Sequence, residues 1–131
     1  MTRWIVSAIL LLVGVLNITP AIAFFAPERT VDLYGLSLVG EDISILTRHR
    51  AVLLGLLGAA MIFAAMRRDL TVPVIVGALV GKAAFLYLVY SGSEYSAEIG
   101  RVAAFDVGAV VLLVIALGLY LVSEKKEWTT R

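Results

Sequence analysis

Residues 71–90 read TVPVIVGALVGKAAFLYLVY, an apolar run of 20 residues broken by a single charge, Lys82. At a helical rise of about 1.5 Å per residue the run covers about 30 Å, the thickness of the hydrocarbon in a bilayer. Pro73 stands in its first turn, where proline is tolerated because that N–H has no helical partner. Tyr87 and Tyr90 mark the far end, as aromatic rings do at a membrane interface. Three more stretches share this character, at about 4–24, 47–66 and 99–122. The chain as a whole is 61% apolar over 131 residues, with a mean hydropathy of +0.99, well above a soluble domain. The expected fold is all-α: a membrane-embedded four-helix bundle forming one domain, 1–131. Four spans of about 20 residues leave only about 50 for loops and tails, too few for a soluble catalytic domain.

The first span, 4–24, starts at Trp4 and ends at Phe24-Phe25, aromatic at both interfaces. Pro20 removes a backbone donor and is expected to kink the helix near that end. The same stretch imitates a signal peptide: Arg3, an apolar core from Ile5 to Leu16, then Ala21-Ile22-Ala23 as a cleavage-like site. It is read here as a retained span. Between the first two spans, Pro27 and Glu28 suit the start of a short helix. Val31, Leu33, Tyr34 and Leu36 give that helix an apolar side, so a surface-lying segment at about 27–35 is expected, ending near Gly35. Gly40 is a break, and Asp42 is the expected cap of the second span.

Small residues recur at helical spacing. Ala51, Gly55 and Gly58 on the second span and Gly77 and Gly81 on the third are expected to allow close helix contact. Gly108 and Gly118 are further contact points on the fourth. The turn between the second and third spans is short, so those two should be antiparallel neighbours. Ser96 is the expected cap of the fourth, and Ser123 to Arg131 reads as a polar tail.

With four spans both termini share one side. That side holds Arg3, Arg67, Arg68, Lys125, Lys126 and Arg131, against Arg29, Arg48, Arg50 and Arg101 on the other. The excess favours cytoplasmic termini in a bacterial inner membrane.

Three spans carry a polar group at one depth. Asn17 lies seven residues before Phe24, Lys82 eight before Tyr90, and Asp106 seven past Ile99. Each is then about 10–12 Å below the outer interface. One reading is an ion pair of Lys82 with Asp106, assisted by Asn17, that locks the bundle, since an unpaired charge in hydrocarbon is costly. Another is a polar cavity open to the outer side, holding a head group or passing a proton. A third has Lys82 snorkelling to the interface. Just above lies a second cluster: Arg48, His49, Arg50 and Arg101. Consecutive residues point about 100° apart on a helix, so the triplet 48–50 cannot all face one ligand. It reads as a set of anchors for lipid phosphates, or as the source of one inward side chain that meets Asp106, Glu28 or Asp32; a buried cluster of one of the three with Arg101 and Asp106 would bind an anion or a polar head group. Arg101, one and a half turns above Asp106, is a competing partner for that carboxylate.

The chain contains no cysteine and one histidine, His49. That excludes thiol chemistry and a multi-histidine metal or haem site within one chain. No cofactor is expected. A net charge of +1 gives no reason to expect nucleic acid.

Leu33-Tyr34-Gly35, Arg48 to Gly55 and the stretch Arg101-Val102 with Ala104-Phe105-Asp106-Val107 resemble a group of small bacterial four-helix membrane proteins of unknown function. The group is loosely similar to DoxX-type proteins, and some members carry the name phosphopantetheine adenylyltransferase by transfer between sequences. The resemblance implies the four-helix bundle and no assigned chemistry. The transferase name does not fit, because that chemistry belongs to a soluble nucleotide-binding fold with its own histidine and phosphate loop. Lys82 stands outside the group's pattern.

The expectation for function is a non-enzymatic accessory or assembly component, packing small-residue faces against a second copy or a larger membrane complex, with lipids around it. The alternative is a binder or transporter of a small amphipathic molecule, a lipid or quinone, held at the polar layer. An enzyme acting on lipid, with Asp106 or His49 as base, ranks last because no nucleophile–base pair is visible.

Overall fold

The computed structural model describes residues 2–26, 28–29 and 40–129, with side chains up to residue 125. The expected surface helix at 27–35 lies outside the described residues. Among the described residues four long α-helices are present: α1 (Thr2–Ile18), α2 (Glu41–Met66), α3 (Thr71–Ser91) and α4 (Ala97–Thr129). Among the described residues there is no strand. All four are long and apolar enough to cross a membrane, the spans running Thr2–Phe24, Glu41–Met66, Arg68–Ser91 and Ala97–Lys125. Leu12, Leu56, Leu88 and Val114 are among many large apolar side chains left exposed. In water such a belt would drive aggregation, whereas in hydrocarbon it is the correct surface. The chain is a multi-pass membrane bundle.

Local chemistry sets the helix ends. Pro20 does more than kink the first span. The α-helix stops at Ile18 and continues as a 3-10 segment, Thr19–Phe24, because proline cannot supply the N–H that the α pattern needs. Gly40, not Asp42, is the N-cap of α2. Its φ of +109° is a conformation that glycine adopts freely and other residues resist. Asp42 sits with Glu41 in the first turn, where both face the positive end of the helix dipole. α2 therefore starts ahead of the expected 47. Ser96 caps α4, its Oγ accepting from the Ile99 N–H at 3.3 Å. The helix runs past Val122 to Thr129, so the polar stretch after 122 is helical through that residue.

The hairpin from α2 to α3 is a 3-10 turn, Arg68–Leu70, latched by Arg67, which donates from two nitrogens to Asp69 at 3.2 Å each. The last carbonyls of α2 have no partner inside their own helix. The Arg67 N–H bonds the Phe63 carbonyl at 3.0 Å, the Thr71 hydroxyl donates to Ala64 at 3.4 Å, and the Ser7 hydroxyl donates to Ala65 at 3.0 Å.

α1 packs most extensively on α2, then on α4; α3 packs on α4 and, over a smaller area, on α2. The α1–α2 crossing is a backbone contact. A Cβ added to Gly58 would lie 2.5 Å from the Gly14 carbonyl oxygen, and one on Gly55 would lie 2.8 Å from the Ala21 Cβ. Gly77, Gly81, Gly108 and Gly118 behave differently: a Cβ at any of them meets nothing within 4 Å. They are not contact points within the bundle. α3 buries Thr71, Ile75, Ala78, Lys82 and Val89, and that inward face turns Gly77 and Gly81 to the outside.

The core is stratified. Leu10, Val13, Met61, Ile75, Ala78, Leu113 and Ala116 are fully buried and form a dry plug toward the hairpin end. Beyond it, toward the opposite end, lies the polar layer.

Candidate functional site: a polar layer beneath a cavity

Asn17, Lys82 and Asp106 meet. Asn17 is the last residue but one of α1, just before the break to 3-10 geometry, Lys82 comes from the buried face of α3, and Asp106 from the third turn of α4. Lys82 is 6% exposed and Asn17 5%. The Lys82 ammonium lies 2.5 Å from Asp106 Oδ1 and donates at 3.4 Å to the Asn17 amide oxygen. The Asn17 nitrogen donates to the Val13 carbonyl at 2.8 Å, which fixes which way the amide points. The buried lysine thus has a carboxylate at contact distance and a neutral amide as its second acceptor, the pairing that an ionisable group in hydrocarbon needs. Lys82 does not snorkel.

The pair forms the floor of a cavity of about 320 Å³ to which all four helices contribute. Its walls are apolar, from Leu16, Pro20, Leu54, Val102 and Phe105. Arg50, Glu98 and Arg101 line it further up. On α4, Arg101 precedes Asp106 by five residues, about 7.5 Å of rise. The cavity thus has a polar floor, apolar walls and a charged upper rim.

The triplet at the start of α2 divides. Arg48 donates from Nε to the Phe24 carbonyl at 3.1 Å, with its guanidinium over the Phe24 ring at 5.1 Å. It straps the end of the 3-10 segment to α2 rather than facing the cavity. His49 is exposed and lies outside the cavity lining. Arg50 is the inward member, lining the cavity with its guanidinium stacked on Phe85 at 5.2 Å. Asp106 takes Lys82 as its ion partner, and Arg101 instead approaches Glu98, at 3.7 Å. Of the other carboxylates considered for the triplet, Glu28 is exposed and outside the cavity lining, and Asp32 lies outside the described residues.

Two contributors were not evident from the residues alone: Glu98 and Phe105. Both follow from a helical face that contains Asp106, because 98, 101, 102, 105, 106 and 109 are spaced at three and four residues and all line the cavity. The hairpin end has a smaller cavity of about 160 Å³, lined by residues including Arg3, Ser7, Arg68, Tyr120 and Ser123. Its hydroxyls are occupied by backbone. Tyr120 donates to the Arg68 carbonyl at 3.1 Å and Ser123 to the Tyr120 carbonyl at 2.7 Å. Among the described residues, no group of three or more histidine and carboxylate side chains is placed to hold a metal ion.

Compared with known protein families, with curated proteins and with solved structures, the chain matches none.

Proposed function

We propose that this protein is a membrane-embedded binding protein that holds a small amphipathic molecule in the cavity above Lys82 and Asp106. The observation that carries this reading is the cavity itself. About 320 Å³ is at the lower end of what small-molecule sites occupy, and apolar walls between two polar zones suit a molecule with both characters. A bundle needing only an ion pair for registry would close over it, since side chains pack to fill voids. The kinship with small DoxX-type bundles belongs to this proposal, as does placement in a bacterial inner membrane with cytoplasmic termini. In that orientation the cavity lies toward the outer side.

Gentle extraction followed by native mass spectrometry tests the binding reading. A ligand in 1:1 ratio is expected on the wild type and a lower occupancy on Asp106→Asn. A wild-type protein that always runs empty would sink the idea. Orientation has its own test. The chain has no cysteine, so a single Ser93→Cys in the exposed turn between α3 and α4 can be labelled without background. Protection of that thiol from an impermeant reagent added outside the cell would reverse the orientation.

A second reading, an accessory subunit in a homo-oligomer or a larger membrane complex, is favoured by Gly77 and Gly81, which present an open small-residue face of the kind that packs helices in membranes. Native-gel mass decides that one, a strictly monomeric and partner-free species counting against it.

A further inference from the structure

Two residues that line the cavity, Leu16 on α1 and Phe105 on α4, are also turned outward, being 50% and 72% exposed. Each is next in sequence to a member of the polar layer, Asn17 or Asp106. Both therefore lie about 10 Å below the interface, where the surrounding medium is hydrocarbon. A side chain that lines a cavity and also faces outward marks its mouth. This mouth opens sideways, into the bilayer.

The fold holds it open. Nearer the hairpin end, Leu10 and Val13 of α1 share the core with Leu113 and Ala116 of α4. Beyond Ile18 the first span leaves α4, because the 3-10 segment that Pro20 imposes is drawn onto α2. Ala21 sits so close to Gly55 that a Cβ added there would lie 2.8 Å from its own, and Arg48 holds the Phe24 carbonyl at 3.1 Å. Among the described residues that segment packs extensively on α2 and not on α4.

A mouth at that depth admits lipid rather than water. A bare acyl chain is nevertheless a poor occupant. The Asp106 side chain is 21% exposed and borders the cavity together with Lys82, and a polar group set against hydrocarbon without a hydrogen bond is costly. A hydroxyl both donates and accepts, so it can bond the carboxyl and the amine alike.

We propose that the occupant is a membrane lipid with a small hydroxyl-bearing head, loaded sideways from the bilayer between α1 and α4. The head lies on the Lys82–Asp106 floor. The chain passes between Leu16 and Phe105 and stays among the surrounding lipids. This rests on the binding reading above and adds to it a route and a class of ligand.

The test places the protein in phosphatidylcholine nanodiscs and compares three probes by native mass spectrometry. Monoolein has a long chain and hydroxyls, methyl oleate has the chain without a hydroxyl, and monobutyrin has the hydroxyls on a short, water-soluble chain. Monoolein is expected to bind 1:1, with the other two about tenfold weaker or worse. The route is tested with Leu16→Cys/Phe105→Cys, bridged by a short bifunctional maleimide that carries a cleavable disulfide; the chain has no cysteine of its own. Bridging should halt monoolein uptake, and cutting the bridge should restore it in the same molecules. Uptake at an unchanged rate with the bridge in place, or monobutyrin binding as tightly as monoolein, would overturn the lateral route and leave the binding reading standing. Methyl oleate binding as tightly as monoolein would overturn the hydroxyl head. If none of the three binds, both readings fail together.

Discussion

At the hairpin end of the bundle, Ser7, Thr71 and Tyr120 donate their hydroxyl protons to backbone carbonyls. At the opposite end, Asn17, Lys82 and Asp106 turn toward one another beneath an open space. Both regions are polar patches in an apolar protein. In the first, Ser7 and Thr71 answer a demand made by the backbone, namely the carbonyls that the end of α2 leaves without partners, and Tyr120 bonds a carbonyl of the turn just beyond. In the second, helix geometry makes no such demand. The three side chains come from mid-helix or from just before a break, where the backbone is already bonded. Polar groups the fold does not require are the ones to examine for a task.

The sharpest way to break this contrast is to remove half of the pair. Lys82→Met strands Asp106 and should cost about 3–5 kcal/mol, seen as a large drop in melting temperature in detergent. The double variant Lys82→Met/Asp106→Leu should recover most of that loss while abolishing ligand binding. If the double variant is as unstable as the single, the pair is needed for folding itself and the contrast fails. Next in size, Gly58→Ala drives a Cβ to 2.5 Å from the Gly14 carbonyl oxygen, and pushing α1 off α2 should cost about 1–3 kcal/mol, measured in the same way. Tyr120→Phe removes one hydroxyl bond at the hairpin end. About 0.5–1.5 kcal/mol should go, with no change in ligand occupancy; a change in occupancy would mean the two ends communicate. The smallest effect is expected from Gly77→Ala, which meets nothing within 4 Å. It should leave the monomer's stability unchanged or raised by under about 1 kcal/mol through helix propensity, and a fall in native mass would reveal an assembly face there.

The four spans are legible in the sequence because a 20-residue apolar run has few other fates. The shared depth of Asn17, Lys82 and Asp106 is legible as well, since position along a helix follows from counting at a fixed rise. Rotation about the helix axis is harder. Gly55 and Gly58 on α2 and Gly77 and Gly81 on α3 look alike as small-residue pairs, yet only the first pair meets a neighbour. The difference comes from which face each helix turns inward, and with apolar residues all round a span, periodicity has little contrast to show it. Gly14, half of the closest crossing, is inconspicuous for the same reason. The fate of Arg48 depends on the carbonyl at the end of the 3-10 segment, a group exposed only because Pro20 ends the α-helix first. The cavity is a property of the gap between four helices and is written in no single one.

The plug of Leu10, Val13, Met61, Ile75 and Leu113 has a bearing on permeability. Along α3, the eleven steps from Lys82 to Thr71 make about 16 Å of apolar packing between the floor of one cavity and the polar groups of the other end. An ion crossing that distance would give up its hydration with no oxygen to replace it, a barrier large enough to keep the membrane's voltage intact. In this conformation the described residues form a cup closed on the hairpin side rather than a conduit.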